Sequence, residues 1–248
     1  MTSYLLPLAK VGEVGESFFH ERTSATLPCQ AQSDHLFCFG WAKENIGSFT
    51  TPTEQHLELV LISVVIGFAV AIALALLAHR RRWLQAPLLG ITGVIYTVPS
   101  IAFFFLLLPV TGLGRDTVIV ALSAYTLQTI YRNAITGLAN VPTATKDAAR
   151  GMGLTDRQIL WRVELPLATP EIVAGLRIAT VSTVALATLA VFVNGGGLGV
   201  KIYGSGNLTF PTSIIIAAGI AMLMAFAFHL GLVWIERLAT PWRRVAAE

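Results

Sequence analysis

Five long apolar runs decide what this chain can fold into. They are Leu57–Ala78, Leu88–Leu108, Thr117–Ile135, Ile172–Val193 and Ser213–Ile235. At about 1.5 Å per residue, a helix of such length crosses a hydrocarbon core of about 30 Å. With 54% hydrophobic and 12% charged residues, and a mean hydropathy of +0.69, the chain suits a bilayer and not an aqueous domain. The sequence therefore predicts an all-α integral membrane protein with about five transmembrane helices.

The basic residues predict which side of the membrane each end of the chain faces. His79, Arg80, Arg81 and Arg82 end the first apolar run, and such a cluster favours the cytoplasm. Most of the 17 lysines and arginines fall on the same side in the resulting topology, which places the N-terminus outside and the C-terminus inside. Because these residues lie at the ends of apolar runs and not on one soluble face, the net charge of +3 does not indicate a nucleic acid partner.

Residues 1–56 precede the first run and are mixed in character and rich in turn formers. They predict an extramembranous arm whose aromatic stretch, Phe37–Trp41, suits the membrane interface. If the arm is outside the cell, Cys29 and Cys38 can form a disulfide; otherwise they are two free thiols. The start of the chain lacks the positive n-region and long apolar h-region of a cleavable signal peptide, so none is expected.

Two features of the apolar runs are candidates for a gate or transport pathway. Pro99 breaks the second run, where a proline either lines a polar path or only shapes helix packing. The sequence NGGGLG follows the fourth run and contains Gly195, Gly196, Gly197 and Gly199. It lacks the Gly-Lys-Ser/Thr of a phosphate loop and follows a span instead of a strand, so a nucleotide site is not expected. We interpret it as irregular backbone at the outer mouth, shielded by protein or lining a cavity.

The longest polar connection between apolar runs, Lys146–Pro166, predicts a short helix that ends at a glycine. Thr145 is placed to cap this helix, and Asp147 falls in its first turn, where the helix dipole favours a carboxylate. Gly151 and Gly153 are expected to stop it. Gly153 in particular suits the left-handed residue that commonly ends a helix.

A second short helix is predicted after this glycine break. Thr155 begins it, and Gln158, three residues on, completes a capping box. Pro166 and Pro170 are expected to end it, because proline lacks a backbone donor and restricts the residue before it. The two helices would lie across the end of the bundle and present a surface to another protein.

The polar connection also resembles the EAA loop of ABC-importer permeases. That loop has a carboxylate, Ala-Ala, a spaced glycine and then Ile-x-Leu-Pro. The matching positions here are Asp147, Ala148, Ala149, Gly153, Val163, Leu165 and Pro166. Asp147 replaces the usual Glu and Val163 the usual Ile, which keeps charge and shape. In that family the loop forms coupling helices that dock on a cytoplasmic ATPase subunit.

A narrower resemblance covers residues 57–242, which are similar to permease subunits of osmoprotectant importers. These importers handle glycine betaine, carnitine and choline. Thr97–Pro109, Ile130–Leu138 and Ala187–Gly199 carry the similarity. Val200 departs from it, because an acidic residue usually follows the glycine run in that group.

The resemblance implies a MetI-like, type I ABC-importer fold in a prokaryotic cytoplasmic membrane. Residues 57–242 would form the permease domain, with a cytoplasmic coupling loop at 140–170. The implied partners are an ABC ATPase that binds the ATP, a second permease subunit, identical or paralogous, and an extracytoplasmic substrate-binding protein. The chain itself is expected to hold no cofactor or metal and to catalyse no reaction, and no substrate-binding residue is assigned.

Two alternatives remain. One is an ABC permease for another small solute such as methionine, taurine or a phosphonate, because the coupling loop does not distinguish substrates. The other is an ion channel or membrane enzyme, for which the spans offer only Glu58, His229 and isolated hydroxyls.

Overall fold

The computed structural model describes residues 37–203 and 211–241, and within these ranges the regular secondary structure is helical. The α-helices are α1 (Phe39–Asn45), α2 (Thr50–Arg80), α3 (Gln85–Thr97), α4 (Ser100–Thr111), α5 (Arg115–Ala139), α6 (Thr143–Gly151), α7 (Asp156–Ile159), α8 (Leu165–Ala187), α9 (Gly199–Tyr203) and α10 (Pro211–Ala239). Short 3-10 turns occupy Ile46–Phe49, Arg82–Leu84 and Thr188–Val193, and a π turn occupies Leu160–Glu164.

Among the described residues, three helical stretches are long and apolar enough to cross a membrane. They are Phe39–Arg80, Asp156–Val193 and Pro211–Ala239. The pair Arg82–Thr97 and Ser100–Thr111 adds a fourth if a bent pair is one span. Length and composition thus identify up to four of the about five predicted spans, and α5, the third predicted span, does not qualify by this test.

α5 fails this test because it is too polar, and it lies at the centre of the bundle, with protein around it. It packs against α2, α3, α4 and α8. Its buried residues include Thr117, Ser123 and Thr126, and the Ser123 hydroxyl donates to the Ser63 carbonyl of α2 at 3.2 Å. The hydroxyls of Thr117 and Thr126 bond to backbone carbonyls of the preceding loop and of α5 itself, so all three are satisfied within the protein and not in lipid.

Helix α10 has the opposite character. Only 6% of its most apolar window is buried, and large apolar side chains such as Met222, Phe226 and Trp234 are exposed. A surface of this kind is stable beside lipid or another apolar surface but not in water. It supports the prediction of an integral membrane protein.

The last part of the predicted arm is helical and packs against the bundle. α2 begins at Thr50, so it crosses the predicted boundary at residue 56, and Phe49 and His56 are buried. Cys38 is disulfide-bonded, which agrees with the disulfide alternative, and its N–H donates to the Thr212 hydroxyl at 2.9 Å. Residues 1–36, with Cys29, lie outside the described ranges.

Pro99 separates two helices where the sequence predicted one broken span. α3 ends at Thr97, Val98 and Pro99 are extended with ψ of 132° and 130°, and α4 leaves at 103° to α3. The residue before a proline is forced out of the helical region, which explains the extended Val98. The Val98 carbonyl, outside both helices, accepts from the Tyr125 hydroxyl of α5 at 2.5 Å. The bend is thus fixed by a contact from the central helix.

The close approach of α2 and α5 depends on Gly67. A Cβ atom there would collide with the Thr126 hydroxyl oxygen and lie 3.0 Å from the Ser123 carbonyl. We expect Gly67→Ala to lower the stability of the folded protein by about 1–2 kcal/mol through overpacking. The thermal unfolding midpoint in detergent measures this loss.

Combining Gly67→Ala with Thr126→Ala should recover part of that midpoint, because the second change removes the obstructing hydroxyl. Gly90→Ala is the matched control, since nothing lies within 4 Å of a Cβ at Gly90. If Gly67→Ala unfolds at the same temperature as Gly90→Ala, the two helices do not approach this closely.

Candidate functional site

The polar connection folds as α6, a glycine turn and α7. α6 begins at Thr143, with Pro142 as the capping residue, and not at the predicted position after Thr145. The Pro142 carbonyl accepts from the N–H groups of Thr145 and Lys146 at 3.2 and 3.4 Å. Because Pro142 already supplies the first acceptor of the helix, Thr145 lies inside the helix and caps nothing.

The glycine turn has the predicted left-handed residue. Gly153 has φ of +85°, and its N–H donates to the Arg150 carbonyl at 2.9 Å. The Leu154 N–H donates to the Ala149 carbonyl at 3.2 Å. This pair of bonds is the Schellman arrangement, which satisfies the last carbonyls of α6 and requires positive φ at Gly153.

The predicted capping box at the start of α7 is also confirmed. The Thr155 N–H donates to Gln158 Oε1 at 2.8 Å, and the Gln158 N–H donates to Thr155 Oγ1 at 3.4 Å. These reciprocal bonds satisfy two donors that the first turn would otherwise leave free. The angle between the glycine turn and α7 is therefore set by short-range bonds alone.

The predicted end of this second helix is wrong. α7 continues through the π turn Leu160–Glu164 into α8, so residues 156–193 form one helical stretch. Pro166 lies inside this stretch, just after the π turn, where the backbone hydrogen bonding is already irregular, and Pro170 lies inside α8. The polar connection is therefore joined to the fourth predicted span without a break.

The residues that match the EAA signature divide into an exposed tip and a half-buried root. Asp147, Ala148 and Gly153 are exposed at the tip. Ala149 is only 1% exposed and holds α6 in place. Val163, Leu165 and Pro166 are half-buried at the root, in the π turn and the start of α8.

Charged side chains and large apolar side chains are exposed along the polar connection. The Arg150 guanidinium lies 3.1 Å from Asp147 Oδ1 and 3.6 Å from Asp156 Oδ1, bridging α6 and α7. Met152 and Trp161 are 74% and 56% exposed, although both are large and apolar. Exposed large apolar side chains in a charged segment are typical of a protein interface.

Sequence reasoning missed one group at the root, the carboxylate of Glu164. It is only 5% exposed and lies between Val163 and Leu165 of the signature. Its oxygens contact His79 at the end of α2 and Lys146 of α6. A charged residue between apolar neighbours was a signal in the sequence, but its partners are far away along the chain.

The glycine run forms a tight turn that protein covers, as the sequence predicted. Asn194, Gly196 and Gly197 have φ of 58°, 80° and 82°, which favours glycine at the last two. The Gly195 N–H donates to the Ala190 carbonyl at 2.8 Å, so the run folds back on the preceding turn. Gly199 begins α9 and is buried.

Two side chains of α2 hold this glycine run, and sequence reasoning did not find them. Gln55 Oε1 accepts from the Gly197 N–H at 3.1 Å, and His56 Nδ1 accepts from the Leu198 N–H at 3.3 Å. His56 is fully buried, and its Nε2 donates to the Val184 carbonyl at 3.0 Å. In the sequence, this role was indicated only by the position of Gln55 and His56, a polar pair directly before the first apolar run.

The structure does not join Pro99 to the glycine run. Pro99 lies near Tyr125 of α5, whereas Gly195 lies beside Val118 of the same helix. Tyr125 also contacts the rings of Tyr96 and Phe103 edge-on, at centroid distances of 6.0 and 5.5 Å. The gate or pathway role of Pro99 and of the glycines stays a prediction.

Comparison with known proteins supports the interpretation of the polar connection. Residues 63–242 match the family described as binding-protein-dependent transport system inner membrane component. The choline transport system permease protein OpuBB of Bacillus subtilis is 36% identical over 197 residues, which cover 79% of this chain and 91% of that protein. The glycine betaine/carnitine/choline transport system permease protein OpuCD of the same organism is 38% identical over 191 residues, 77% and 83% of the two chains.

A solved structure gives the same fold. An inward-facing MetNI methionine ABC transporter matches with a TM-score of 0.69, covering 77% of this chain and 96% of that chain at 23% sequence identity. The MetI-like fold expectation is thereby confirmed. The chain belongs to the binding-protein-dependent transport system inner membrane components, a family of transport permeases and not of enzymes.

Proposed function

We propose that this chain is the permease subunit of an ATP-driven importer for osmoprotectants of the glycine betaine, carnitine and choline class. The two Bacillus subtilis relatives named above are permeases for choline and for all three compounds, respectively. Each of the three compounds carries a quaternary ammonium group. The single observation that carries the coupling part of the proposal is the geometry of the polar connection. An exposed helical tip leads directly into a membrane span.

The proposed direction of coupling follows from this continuity. ATP is bound by a separate cytoplasmic ATPase, and the tip of α6, with Asp147, Ala148 and Gly153, docks on it. Displacement of the tip then acts on α7, the π turn and α8, which form one stretch that ends at Val193, directly before the glycine run. A rigid helix transmits such a displacement without needing a chain of side-chain contacts.

The proposed topology follows from the same assignment. The tip must be cytoplasmic to meet the ATPase, so the N-terminus lies outside and the C-terminus inside a prokaryotic cytoplasmic membrane. A second permease subunit, identical or paralogous, completes the pore, and an extracytoplasmic binding protein delivers the solute. Pro99 and the glycine run are proposed to border the pathway.

The test is reconstitution. The chain is purified with its co-purifying ATPase and binding protein, placed in vesicles, and supplied with ATP and labelled glycine betaine, carnitine, choline or methionine. Accumulation of quaternary ammonium compounds but not methionine is expected. Accumulation of methionine alone would overturn the substrate class, and absence of any ATPase in the preparation would overturn the importer.

A further inference from the structure

Glu164 contacts two helices that reach it from opposite sides. Its Oε2 lies 2.8 Å from His79 Nε2, in the last turn of α2. Its Oε1 lies 3.0 Å from Lys146 Nζ, on α6 beside Asp147. One carboxylate at the root of the polar connection therefore joins the tip helix to the end of the first predicted span.

These contacts lie beside two cavities, where the packing between the elements is incomplete. A cavity of about 500 Å³ is lined by His79, Lys146 and Glu164 together with arginines, and a second of about 300 Å³ is lined by His79 and Lys146 with residues of α5. The main contacts of α6 are with α7 and the π turn. Between α6 and α2, the Glu164 bridge takes the place that packed side chains hold elsewhere in the bundle.

Burial makes this bridge different from a surface ion pair. The Glu164 side chain is 6% exposed, and those of Lys146 and His79 are 17% and 26% exposed. Pairs between exposed charges contribute little, because water screens them and both side chains move freely. A buried carboxylate needs its partners, because an unpaired charge there is strongly unfavourable. The geometry is therefore fixed, and moving α6 alone would break it.

We infer that Glu164 is a positioning residue that ties the tip helix α6 to the end of α2, so that displacement of the tip also moves the first predicted span. This inference rests on the proposed function. It adds a second route to the one along α7 and α8. The helices α2 and α8, which both pack against the central α5, then respond together to one docking event.

The test measures solute imported per ATP hydrolysed in reconstituted vesicles. This ratio does not change when a variant merely folds less well, because inactive complexes remove transport and hydrolysis together. For Glu164→Gln and for Lys146→Met, we expect the amount of co-purified ATPase to be retained and the ratio to fall at least about fivefold. Lys146→Arg, which keeps the charge, should retain most of the native ratio.

Two comparisons sharpen the result. The double variant Lys146→Met with Glu164→Gln should lose no more than either single variant, because all three remove the same contact. Glu171→Gln is the matched control: Glu171 is half-buried on α8 and has no ion-pair partner among residues 37–203 and 211–241, so the ratio should not change.

The outcomes separate the inference from the proposed function. An unchanged import ratio in Glu164→Gln, with the ATPase present, would overturn the inference alone, as would additive losses in the double variant. Absence of an ATPase from the native preparation would overturn the proposed function and the inference with it.

Discussion

Replacing Gly153 by valine is expected to lower ATP-driven uptake about tenfold while leaving membrane insertion intact. Gly153 has φ of +85°, and the bonds that close α6 require this conformation. An L-residue in the left-handed region costs about 1–2 kcal/mol, and about 1.4 kcal/mol changes an equilibrium tenfold. A β-branched side chain falls at the upper end of this cost. The substitution therefore lowers the population of the docking-competent conformation of the tip.

Gly151→Val is the matched control for this substitution. A Cβ atom at either glycine meets nothing within 4 Å, so neither variant creates a clash. The two positions differ in backbone conformation, since Gly151 has no positive φ. Uptake should be close to native in Gly151→Val, and Gly153→Asn should fall between the two, because asparagine tolerates left-handed φ.

The measurement is ATP-driven uptake into vesicles, normalised to the amount of inserted permease. Equal losses in Gly151→Val and Gly153→Val would show that the left-handed turn has no special role. Native uptake in Gly153→Val would remove the polar connection from the coupling mechanism.

Gly199→Ala is expected to destabilise the protein by about 3 kcal/mol, at the upper end of overpacking costs. A Cβ at Gly199 would collide with the Thr188 carbonyl oxygen and lie 2.8 Å from the Thr188 carbonyl carbon. A backbone group cannot rotate away as a side chain can. The 3-10 turn Thr188–Val193 must therefore shift, and the bonds from Gln55 and His56 to the glycine run are expected to weaken with it.

Gly219→Ala is the control for this second prediction. Gly219 lies in α10, and a Cβ atom there would have nothing within 4 Å, so alanine should be neutral or slightly stabilising. The thermal unfolding midpoint and the yield of monodisperse protein in detergent should both fall for Gly199→Ala alone. A Gly199→Ala protein as stable as Gly219→Ala would contradict the packing described for the glycine run.

Features that depend on neighbouring residues could be predicted from the sequence. The left-handed Gly153 and the Thr155–Gln158 capping box need only bonds within a few residues, and both are confirmed. The family and fold expectations were also correct. They rest on the signature spacing and the apolar runs, which can be read directly from the sequence.

Features that depend on distant contacts could not be predicted. The stretch before Pro166 is held by contacts that the sequence does not show: Ile159 and Leu160 are buried, and Leu160 lies in the apolar cluster that α2 and α5 share. His56 bonds to Val184 and Leu198. Glu164 contacts His79 and Lys146. All four partners are distant from these two residues along the chain. In the sequence, His56 lies at the margin of the first apolar run and Glu164 lies within the polar connection, and neither position indicates its partner.

The polarity of the central helix has a consequence for its stability in the bilayer. α5 is 25 residues long, yet it does not qualify as a span by composition, and the hydroxyls of Ser123 and Tyr131 find their acceptors on α2 and α3. The transfer of such a segment into lipid on its own is therefore only weakly favourable in free energy. For this reason we expect α5 to be stable in the bilayer only when it is packed against α2 and α8, and not as an isolated span.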